Sequence, residues 1–294
     1  MMLNDKKYLS LQFIAVLWAV LLIFLPLIVV VYNSFFPVNE FGFPVYENLT
    51  FNNYTAIWGH GNVGTYKVVY RTLYLSFLST IACVIIGYPL AYYGATFENI
   101  KAKKTFIPWN VDVIYLLLSL PLFVNFLIRL GAIRLIFKNN GIVHSVFSFL
   151  GFVENDTYLI GSNAILIIGM FFGSLFFFIQ PVYFVTRESY LKYKNPGQDL
   201  YLNKWNLFKK VILPNSYSSI IAGVLIAFIT SSSDFLTPYI LNSQNNLIST
   251  LIHYKFFDGK NWGEGSALAV GVLITYLILI YLVFKILKNK PVFH

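Results

Sequence analysis

The sequence is short of charge and of cysteine. Only 11% of its 294 residues are charged, whereas a soluble domain carries roughly 25%. The single cysteine, Cys83, cannot form a disulfide within the chain and lies in the middle of an apolar run. We therefore expect it to pack as a small hydrophobic side chain. This composition argues against a soluble domain.

Patterns that carry catalysis or bind metals are also missing from the sequence. It has no glycine-rich phosphate loop ending in Lys-Ser or Lys-Thr, and no His/Cys cluster with metal-ligand spacing. The four histidines, His60, His144, His253 and His294, are scattered over predicted loops and the C-terminal tail. No Ser, His and Asp fall together in the predicted topology. We predict that this chain has no catalytic residue, binds no metal and binds no cofactor.

What the chain does have is long hydrophobic runs. Hydrophobic residues make up 57% of it and aromatic residues 19%. The hydrocarbon core of a bilayer requires about 20 consecutive apolar residues. Four runs of that length contain no charge: 11–31, 72–93, 164–185 and 265–284. Two less regular runs, 113–128 and 216–233, end at Arg129 and Asp234, and interruptions of this kind usually face protein or water.

These runs predict an all-α, polytopic membrane protein with six transmembrane helices in a single domain, 1–294. The predicted spans are 10–32, 72–95, 112–129, 164–186, 214–234 and 265–285. The connections between them are at most about 40 residues long, which leaves no room for a separate catalytic module. The segment 33–70 is rich in Asn, Gly, Pro and aromatic residues, and we expect it to be an irregular outer loop.

Lysine and arginine are distributed unevenly between the two sides of this topology. With the N-terminus inside, the inner segments carry most of the 21 Lys and Arg residues. Cytoplasmic loops retain positive charge, so we predict a plasma- or inner-membrane protein with both termini in the cytoplasm. Topology and attraction to anionic lipid account for the net charge of +9, and we predict no nucleic-acid partner.

The longest inner connection, 187–213, has the strongest local signals, and we call it the docking segment. The tetrapeptide 195–198, Asn-Pro-Gly-Gln, predicts a helix start with Asn195 as its N-cap. Farther on, an amphipathic pattern ends at Pro214. Its apolar positions are Trp205, Phe208, Val211 and Ile212. Spacing alone leaves two interpretations open: a helix that lies on lipid, or an element that docks on a cytoplasmic partner.

The segment 195–214 resembles the cytoplasmic loop of permease subunits of ATP-binding-cassette (ABC) importers. That loop has the pattern Glu-Ala-Ala, a glycine four residues after the second alanine, and an ending with Phe, Ile and Leu-Pro. The ending is kept here at Phe208, Ile212, Leu213 and Pro214. The resemblance implies that this segment docks on an ATPase. The residues that we assign to this role are Asn195, Gly197, Asp199, Tyr201, Trp205, Phe208, Leu213 and Pro214.

The start of the segment departs from the family pattern. Residues 195–197, Asn-Pro-Gly, stand in the place of Glu-Ala-Ala. Tyr201 replaces the glycine, although Asp199 and the leucine after it are the usual pair before that position. Without the glycine, we expect the turn between two short helices at Asn203, because asparagine tolerates a left-handed backbone.

Other stretches narrow the resemblance to the spermidine/putrescine permeases, and together they cover nearly the whole chain. They resemble the family's sequence motifs in the second span, in the third span, in the outer loop and just before the last span. In that order they are 86–92, 121–129, 49–54 and 262–267. The resemblance implies the fold of a type I ABC importer permease. Other relatives move iron, sulfur compounds and other small solutes.

The same resemblance implies a set of partners. The chain would form the translocation path with a second, similar permease, while two ATPase subunits dock on the inner loops and an external binding protein delivers the substrate. Membrane lipid surrounds the complex. ATP would be used by the ATPase partners, so the chain is expected to be a transport subunit and not an enzyme.

A path for a polyamine needs carboxylates and aromatic faces for its ammonium groups. Asp234 is the best candidate, because it lies near the outer end of the fifth span, after three serines and before Phe235. The alternative is a carboxylate that caps a helix or pairs with Arg129. Glu264, just outside the sixth span, is a weaker candidate. Arg129 and Arg134 would repel a polycation, and we expect them to reach outward or to pair with acids.

Three alternatives stay open at this point. An ABC permease for another solute, such as iron or a sulfur oxyanion, would use Arg129 and Arg134 in place of Asp234. A secondary transporter or a channel would work without a docking segment. A membrane enzyme would need a polar catalytic cluster, which the sequence does not contain.

Overall fold

The computed structural model describes residues 2–58, 63–96, 115, 119–120, 123–139, 141–149, 160–199, 201, 203–241 and 247–288. These ranges are mostly helical, and an isolated bridge between Val38 and Pro44 is their one β-type pairing. The helices are α1 (Met2–Asn33), α2 (Asn52–Trp58), α3 (Val63–Ala82), α4 (Tyr88–Thr96), α5 (Phe126–Phe137), α6 (Ile142–Phe149), α7 (Asn163–Asp199), α8 (Lys204–Leu207), α9 (Leu213–Ser233), α10 (Leu236–Leu241), α11 (Ile248–Phe257) and α12 (Trp262–Lys288).

Five helical stretches of the described residues are long and apolar enough to cross a bilayer. They are Val16–Asn33, Gly64–Thr96, Asn163–Gly197, Lys204–Ser233 and Trp262–Lys288. Each overlaps one predicted span, and the prediction of an all-α protein is confirmed. The predicted third span, 112–129, is described only in part, at residues 115, 119–120 and 123–129. The expectation of an irregular 33–70 loop is wrong in part, because this range contains α2 and the first turns of α3.

The larger of two compact units comprises Val68–Thr250 and Tyr276–His294. Within its described residues, α7 packs against α4 and α9 around the fully buried Phe178 of α7. A Cβ on Gly87 would lie 2.8 Å from the Phe178 ring, and one on Gly223 would lie 3.0 Å from the Phe178 carbonyl oxygen. These two glycines therefore set how closely the neighbouring helices approach α7.

A second apolar cluster of this unit holds α5 and α10 on the first half of α7. Leu130 of α5, Met170 of α7 and Leu241 of α10 are all fully buried or nearly so. At the beginning of α7, the Asn163 side-chain oxygen accepts a hydrogen bond of 2.5 Å from Arg71 Nη2 in α3. The short helix α10 is thus positioned by packing on a long one.

Two long helical stretches each contain one turn of π-helix shortly before a proline. The first π turn (Cys83–Gly87) precedes Pro89, and the second π turn (Phe208–Ile212) precedes Pro214. A proline lacks an N–H group, and its ring clashes with the carbonyl four residues earlier. In both cases that carbonyl belongs to the middle residue of the π turn. The wider turn therefore makes room for the ring without ending the helix.

The smaller unit comprises Met1–Lys67 and Leu251–Thr275. The chain that follows α1 is held by Asn53, whose Nδ2 donates hydrogen bonds to the carbonyls of Ser34 (2.9 Å) and Phe36 (2.8 Å). Gly42 has a φ of 87°, and its carbonyl accepts a hydrogen bond of 3.1 Å from the N–H of Trp262. These bonds tie the beginning of α12 to the loop between α1 and α2.

Candidate functional site

Asp234 precedes α10 and lines a cavity in the larger unit. Its Oδ1 accepts hydrogen bonds from the backbone N–H groups of Leu236 (3.0 Å) and Thr237 (3.1 Å), and its Oδ2 accepts one from the Thr237 hydroxyl. This pattern is a helix N-cap, one of the alternatives that the sequence left open. The cavity has a volume of about 540 Å³. It is lined by Val124, Asn125, Phe126, Arg129, Met170, Gly173, Phe177, Thr230 and Asp234.

Two glycines of α7 allow the Asp234 carboxylate to lie close to that helix. A Cβ on Gly169 would be 2.6 Å from Thr237 Cγ2, so α10 packs directly on the α7 backbone. A Cβ on Gly173 would be 3.8 Å from Asp234 Oδ2 and 3.3 Å from Phe126 Cε2. The missing side chain of Gly173 therefore leaves space between a carboxylate and an aromatic ring.

Arg129 lines the same cavity but does not pair with Asp234. Its Nη1 donates to the carbonyl of Phe172 (3.0 Å) and its Nη2 to that of Val124 (3.3 Å), while the guanidinium lies 5.5 Å from the Phe126 ring centroid. Its Nε is buried and has no hydrogen-bond partner among the described residues. Among the described residues, neutral backbone carbonyls and not an acid accept the hydrogen bonds of Arg129. Arg134, farther along α5, is exposed.

A break in the third predicted span brings these groups to the cavity. The chain leaves helical geometry at Val124 and Asn125. Asn125 then caps α5, because its side-chain oxygen accepts a hydrogen bond of 2.9 Å from the N–H of Leu127. The break frees the Val124 carbonyl to accept the bond from Arg129. As a result, α5 begins at the cavity wall.

The position of Gly173 along α7 relates the cavity to the predicted spans. Gly173 follows Asn163, the first residue of α7, by a rise of roughly 15 Å at 1.5 Å per residue. It therefore lies near the middle of the predicted span 164–186, whereas Asp234 directly follows the last residue of α9.

The chemistry of the cavity suits an ammonium group on an alkyl stem. A carboxylate has about four acceptor positions, and donors among the described residues use three of those on Asp234. One position is therefore left for a ligand. Phe126, Phe177 and Met170 supply apolar and aromatic walls for the stem, and an aromatic face also attracts a cation.

Glu264, the weaker candidate, lies in the smaller unit and has a partner of its own. Its Oε2 lies 2.5 Å from the Nζ of Lys255 in an ion pair that is largely shielded from solvent. Its N–H donates a hydrogen bond of 3.0 Å to the side-chain oxygen of Asn261. The charge of Glu264 is thus compensated within the chain, which leaves Asp234 as the better-supported candidate.

In the docking segment, the helix start predicted at Asn195 is wrong. Helix α7 continues through Asn195 to Asp199 and contains Pro196 and Gly197 in its last turns. A proline in this position leaves the Lys192 carbonyl without its helical partner. Lys192 and Pro196 are both exposed, so water can satisfy that carbonyl and the helix does not have to end.

The turn after α7 is made at Tyr201. The prediction of a left-handed turn at Asn203 is therefore wrong. Tyr201 has a φ of 52°, in the left-handed region that favours glycine, and is 97% exposed. It occupies the position at which the family pattern has glycine, so the conformation is kept although the residue is not. Asn203 is extended, and its side-chain oxygen caps α8 by accepting a hydrogen bond of 2.7 Å from the N–H of Asn206.

The two aromatic residues of the amphipathic pattern, Trp205 and Phe208, have different surroundings. The ring of Phe208 contacts Tyr92 of α4 (centroids 4.7 Å apart) and Trp205 (5.4 Å), with Tyr88 at 6.3 Å. Phe208 is half-buried in this cluster, whereas Trp205 is 65% exposed. Phe208 therefore holds the docking segment on α4, and Trp205 and Tyr201 present their side chains to solvent.

Leu213 and Pro214 do not end a helix, although the amphipathic pattern predicts an end there. They are the first two residues of α9, and the backbone stays helical from Lys204 to Ser233 through the second π turn. The last part of the docking segment is therefore continuous with a membrane span. A displacement of the docking segment therefore also displaces α9.

Sequence reasoning missed most of the residues that line the cavity. Phe126, Gly173, Phe177 and Thr230 belong to residue types that are abundant here, with 29 Phe and 18 Gly in the chain. Composition and periodicity give no means of choosing among them. The one local signal was Asn125, a polar residue with N-cap preference inside an apolar run.

Comparisons with known proteins agree with this description. No family model matches the chain. It is 26% identical over 280 residues to the spermidine/putrescine transport system permease protein PotB of Haemophilus influenzae, covering 93% of this chain and 92% of the relative. It is 25% identical over 279 residues to the PotB protein of Escherichia coli, covering 94% and 96%. The resemblance to spermidine/putrescine permeases is thus confirmed over nearly the whole chain, as is the prediction of a transport subunit.

A solved structure shares the fold. It is a chain of a bacterial alginate ABC transporter, crystallised in complex with a periplasmic protein that carries an alginate pentasaccharide. The TM-score is 0.71 at 14% identity, over 95% of this chain and 93% of that chain. The prediction of an ABC importer permease fold is confirmed. The five long apolar helices and the permease relatives agree with a multi-pass membrane protein.

Proposed function

We propose that this chain is a membrane-spanning permease subunit of an ATP-driven ABC importer for polyamines such as spermidine and putrescine. It forms the translocation path together with a second, homologous permease. Two ATPase subunits hydrolyse ATP, and an external binding protein delivers the substrate. The chain itself binds no cofactor and no metal, and both of its termini lie in the cytoplasm.

One observation carries this proposal: similarity to spermidine/putrescine permeases over nearly the full length coincides with a carboxylate-bearing cavity between apolar helices of the chain. A cation near the centre of a bilayer costs several kcal/mol unless a counter-charge or water stabilises it. Asp234 supplies the counter-charge, and Phe126 and Phe177 supply aromatic faces. An ammonium group can therefore pause here while the rest of the polyamine follows.

Coupling to ATP hydrolysis is the task that we assign to the docking segment. Trp205 and Tyr201 present exposed aromatic side chains, and buried aromatic residues dominate the energetics of many protein interfaces. The segment is anchored on α4 by Phe208 and is continuous with α9. A movement imposed by the ATPase on Trp205 is transmitted directly to two spans.

The substrate assignment is tested with Asp234→Asn in the complete importer, reconstituted in vesicles with its binding protein. Asparagine caps a helix about as well as aspartate, so this change removes the charge and keeps the start of α10. Loss of one charge-assisted contact of about 1.5–3 kcal/mol predicts roughly 10- to 100-fold weaker uptake of radiolabelled spermidine. The complex should still assemble.

Asp258→Asn is the matched control, because Asp258 is an exposed acid that follows α11. It should import spermidine at the wild-type rate. Normal uptake by Asp234→Asn would contradict the role of this residue. A wild-type complex that imports an oxyanion and no polyamine would contradict the substrate class, and would direct attention to Arg129 and Arg134.

A further inference from the structure

The cavity beside Asp234 has an unusual charge pattern for a site that receives a polycation. Among the residues that line it, Asp234 is the one acid and Arg129 the one base. The Phe126 ring neighbours both groups: its edge atoms Cε2 and Cζ lie beside the open space at Gly173 next to the carboxylate, and the Arg129 guanidinium lies 5.5 Å from its centroid. The cavity therefore holds one negative and one positive group.

The positive group, Arg129, forms no ion pair within the described residues. The hydrogen bonds of Arg129 go to two backbone carbonyls, which carry no net charge. In surroundings of low dielectric, an uncompensated charge acts over longer distances than it does in water. An ammonium group that approaches Asp234 is attracted, whereas a second ammonium group in the same cavity meets the repulsion of Arg129.

We propose that Arg129 is a specificity-determining residue that limits this cavity to one ammonium group. The inference rests on the function proposed above and adds a rule about the spacing between charges. The spacer next to the bound ammonium group lies against Phe126, Phe177 and Met170, and the next ammonium group has to remain beyond the cavity. Longer spacers satisfy this condition better than short ones. Spermidine has a three-carbon arm and a four-carbon arm, and it enters by the four-carbon arm.

The experiment compares diamines of three, four and five carbons as competitors of radiolabelled spermidine. Binding is measured on the complex of both permeases and both ATPase subunits in lipid nanodiscs. The external binding protein is left out, so that its own substrate preference does not affect the result. For the wild type, we expect the three-carbon diamine to compete roughly tenfold less well than the five-carbon diamine, because like-charge repulsion falls with distance.

Two variants of Arg129 separate its charge from its hydrogen bonds. Arg129→Gln keeps an N–H donor for a backbone carbonyl but removes the charge, and we expect the difference between the diamines to fall below about threefold. Arg129→Lys keeps the charge, and we expect it to show the same preference for the longer diamines as the wild type. The same order of diamines in the wild type and in Arg129→Gln would overturn the proposal.

A second measurement uses the wild type alone and does not depend on how the variants fold. Aminopropanol has the length of the three-carbon diamine but lacks its second charge, so it should compete at least as well as that diamine. Better competition by the diamine would overturn the proposal. A wild-type complex that neither binds nor imports spermidine would contradict the proposed function itself, which is a different outcome.

Discussion

Replacing Gly173 by alanine should weaken transport and leave the fold intact. The new Cβ would lie 3.8 Å from Asp234 Oδ2, in ordinary contact, and 3.3 Å from Phe126 Cε2, which requires a shift of a few tenths of an ångström. An ammonium nitrogen must come to about 2.7–2.9 Å from a carboxylate oxygen to form a charge-assisted hydrogen bond. The methyl group occupies that approach, so we expect uptake of spermidine to fall roughly tenfold or more.

The stability of the Gly173→Ala complex should rise slightly or stay nearly unchanged. Alanine is favoured over glycine in a helix interior by about 0.5–1 kcal/mol, which offsets the crowding against Phe126. The variant is therefore expected to assemble and to melt within a few degrees of the wild type.

The assay is uptake of radiolabelled spermidine by reconstituted vesicles, together with thermal denaturation of the purified complex. Gly131→Ala is the matched control, since Gly131 also lies in a helix and nothing is within 4 Å of its added Cβ. It should leave uptake unchanged. Wild-type uptake by a folded Gly173→Ala complex would refute the idea that substrate uses the space beside the carboxylate.

The remaining predictions concern the docking segment. Tyr201→Gly relieves a left-handed backbone that costs a non-glycine residue roughly 1–2 kcal/mol, so thermal denaturation should occur at a higher temperature. An unchanged or lower melting temperature would show that the turn is not strained. Trp205→Ala should weaken co-purification of the ATPase and the stimulation of ATP hydrolysis by substrate, with a smaller loss of stability than Phe208→Ala because it removes only the contact with Phe208. Phe208→Ala should instead lower the melting temperature, because it removes contacts with Tyr92 and Trp205 worth about 1–3 kcal/mol in a half-buried site. If Trp205→Ala and Phe208→Ala lowered the melting temperature equally, the assignment of Trp205 to docking and of Phe208 to anchoring the segment would be contradicted.

The membrane spans could be predicted from the sequence because their signal is additive. A run such as 164–185 repeats the same apolar information over about 20 residues, and one polar residue does not erase it. Whole-chain resemblance added the fold, since its motifs lie in four separate parts of the chain. Nothing in this reasoning depends on the exact backbone conformation of any one residue.

Local conformation was harder to predict because it depends on tertiary context. Asn195 and Pro196 have the signature of a helix start, yet α7 passes through them, because an exposed backbone lets water replace the lost hydrogen bond. Asn203 tolerates a left-handed backbone better than Tyr201 does, yet Tyr201 adopts it. The family pattern, with its glycine at this position, indicated the correct residue where intrinsic preference did not.

The candidate site was predicted in part. Asp234 was identified because a carboxylate at the end of an apolar run is rare, and its capping role followed from the same position. The proximity of Arg129 to the same cavity was not predicted, because it depends on a helix break at Val124 and Asn125. Gly173 could not be singled out, since its importance lies in the space that it leaves.

The two π turns have a consequence for the evolution of this chain. A π turn holds one residue more than an α-helical turn, and in an α-helix each residue adds about 100° of rotation. Elsewhere in these spans, loss or gain of one residue would rotate every later side chain by that angle and move part of the buried face to the surface. Within Cys83–Gly87 or Phe208–Ile212, a deletion can be absorbed by conversion to an ordinary turn. Relatives that differ in length by one residue are therefore expected to carry their gaps at these two places.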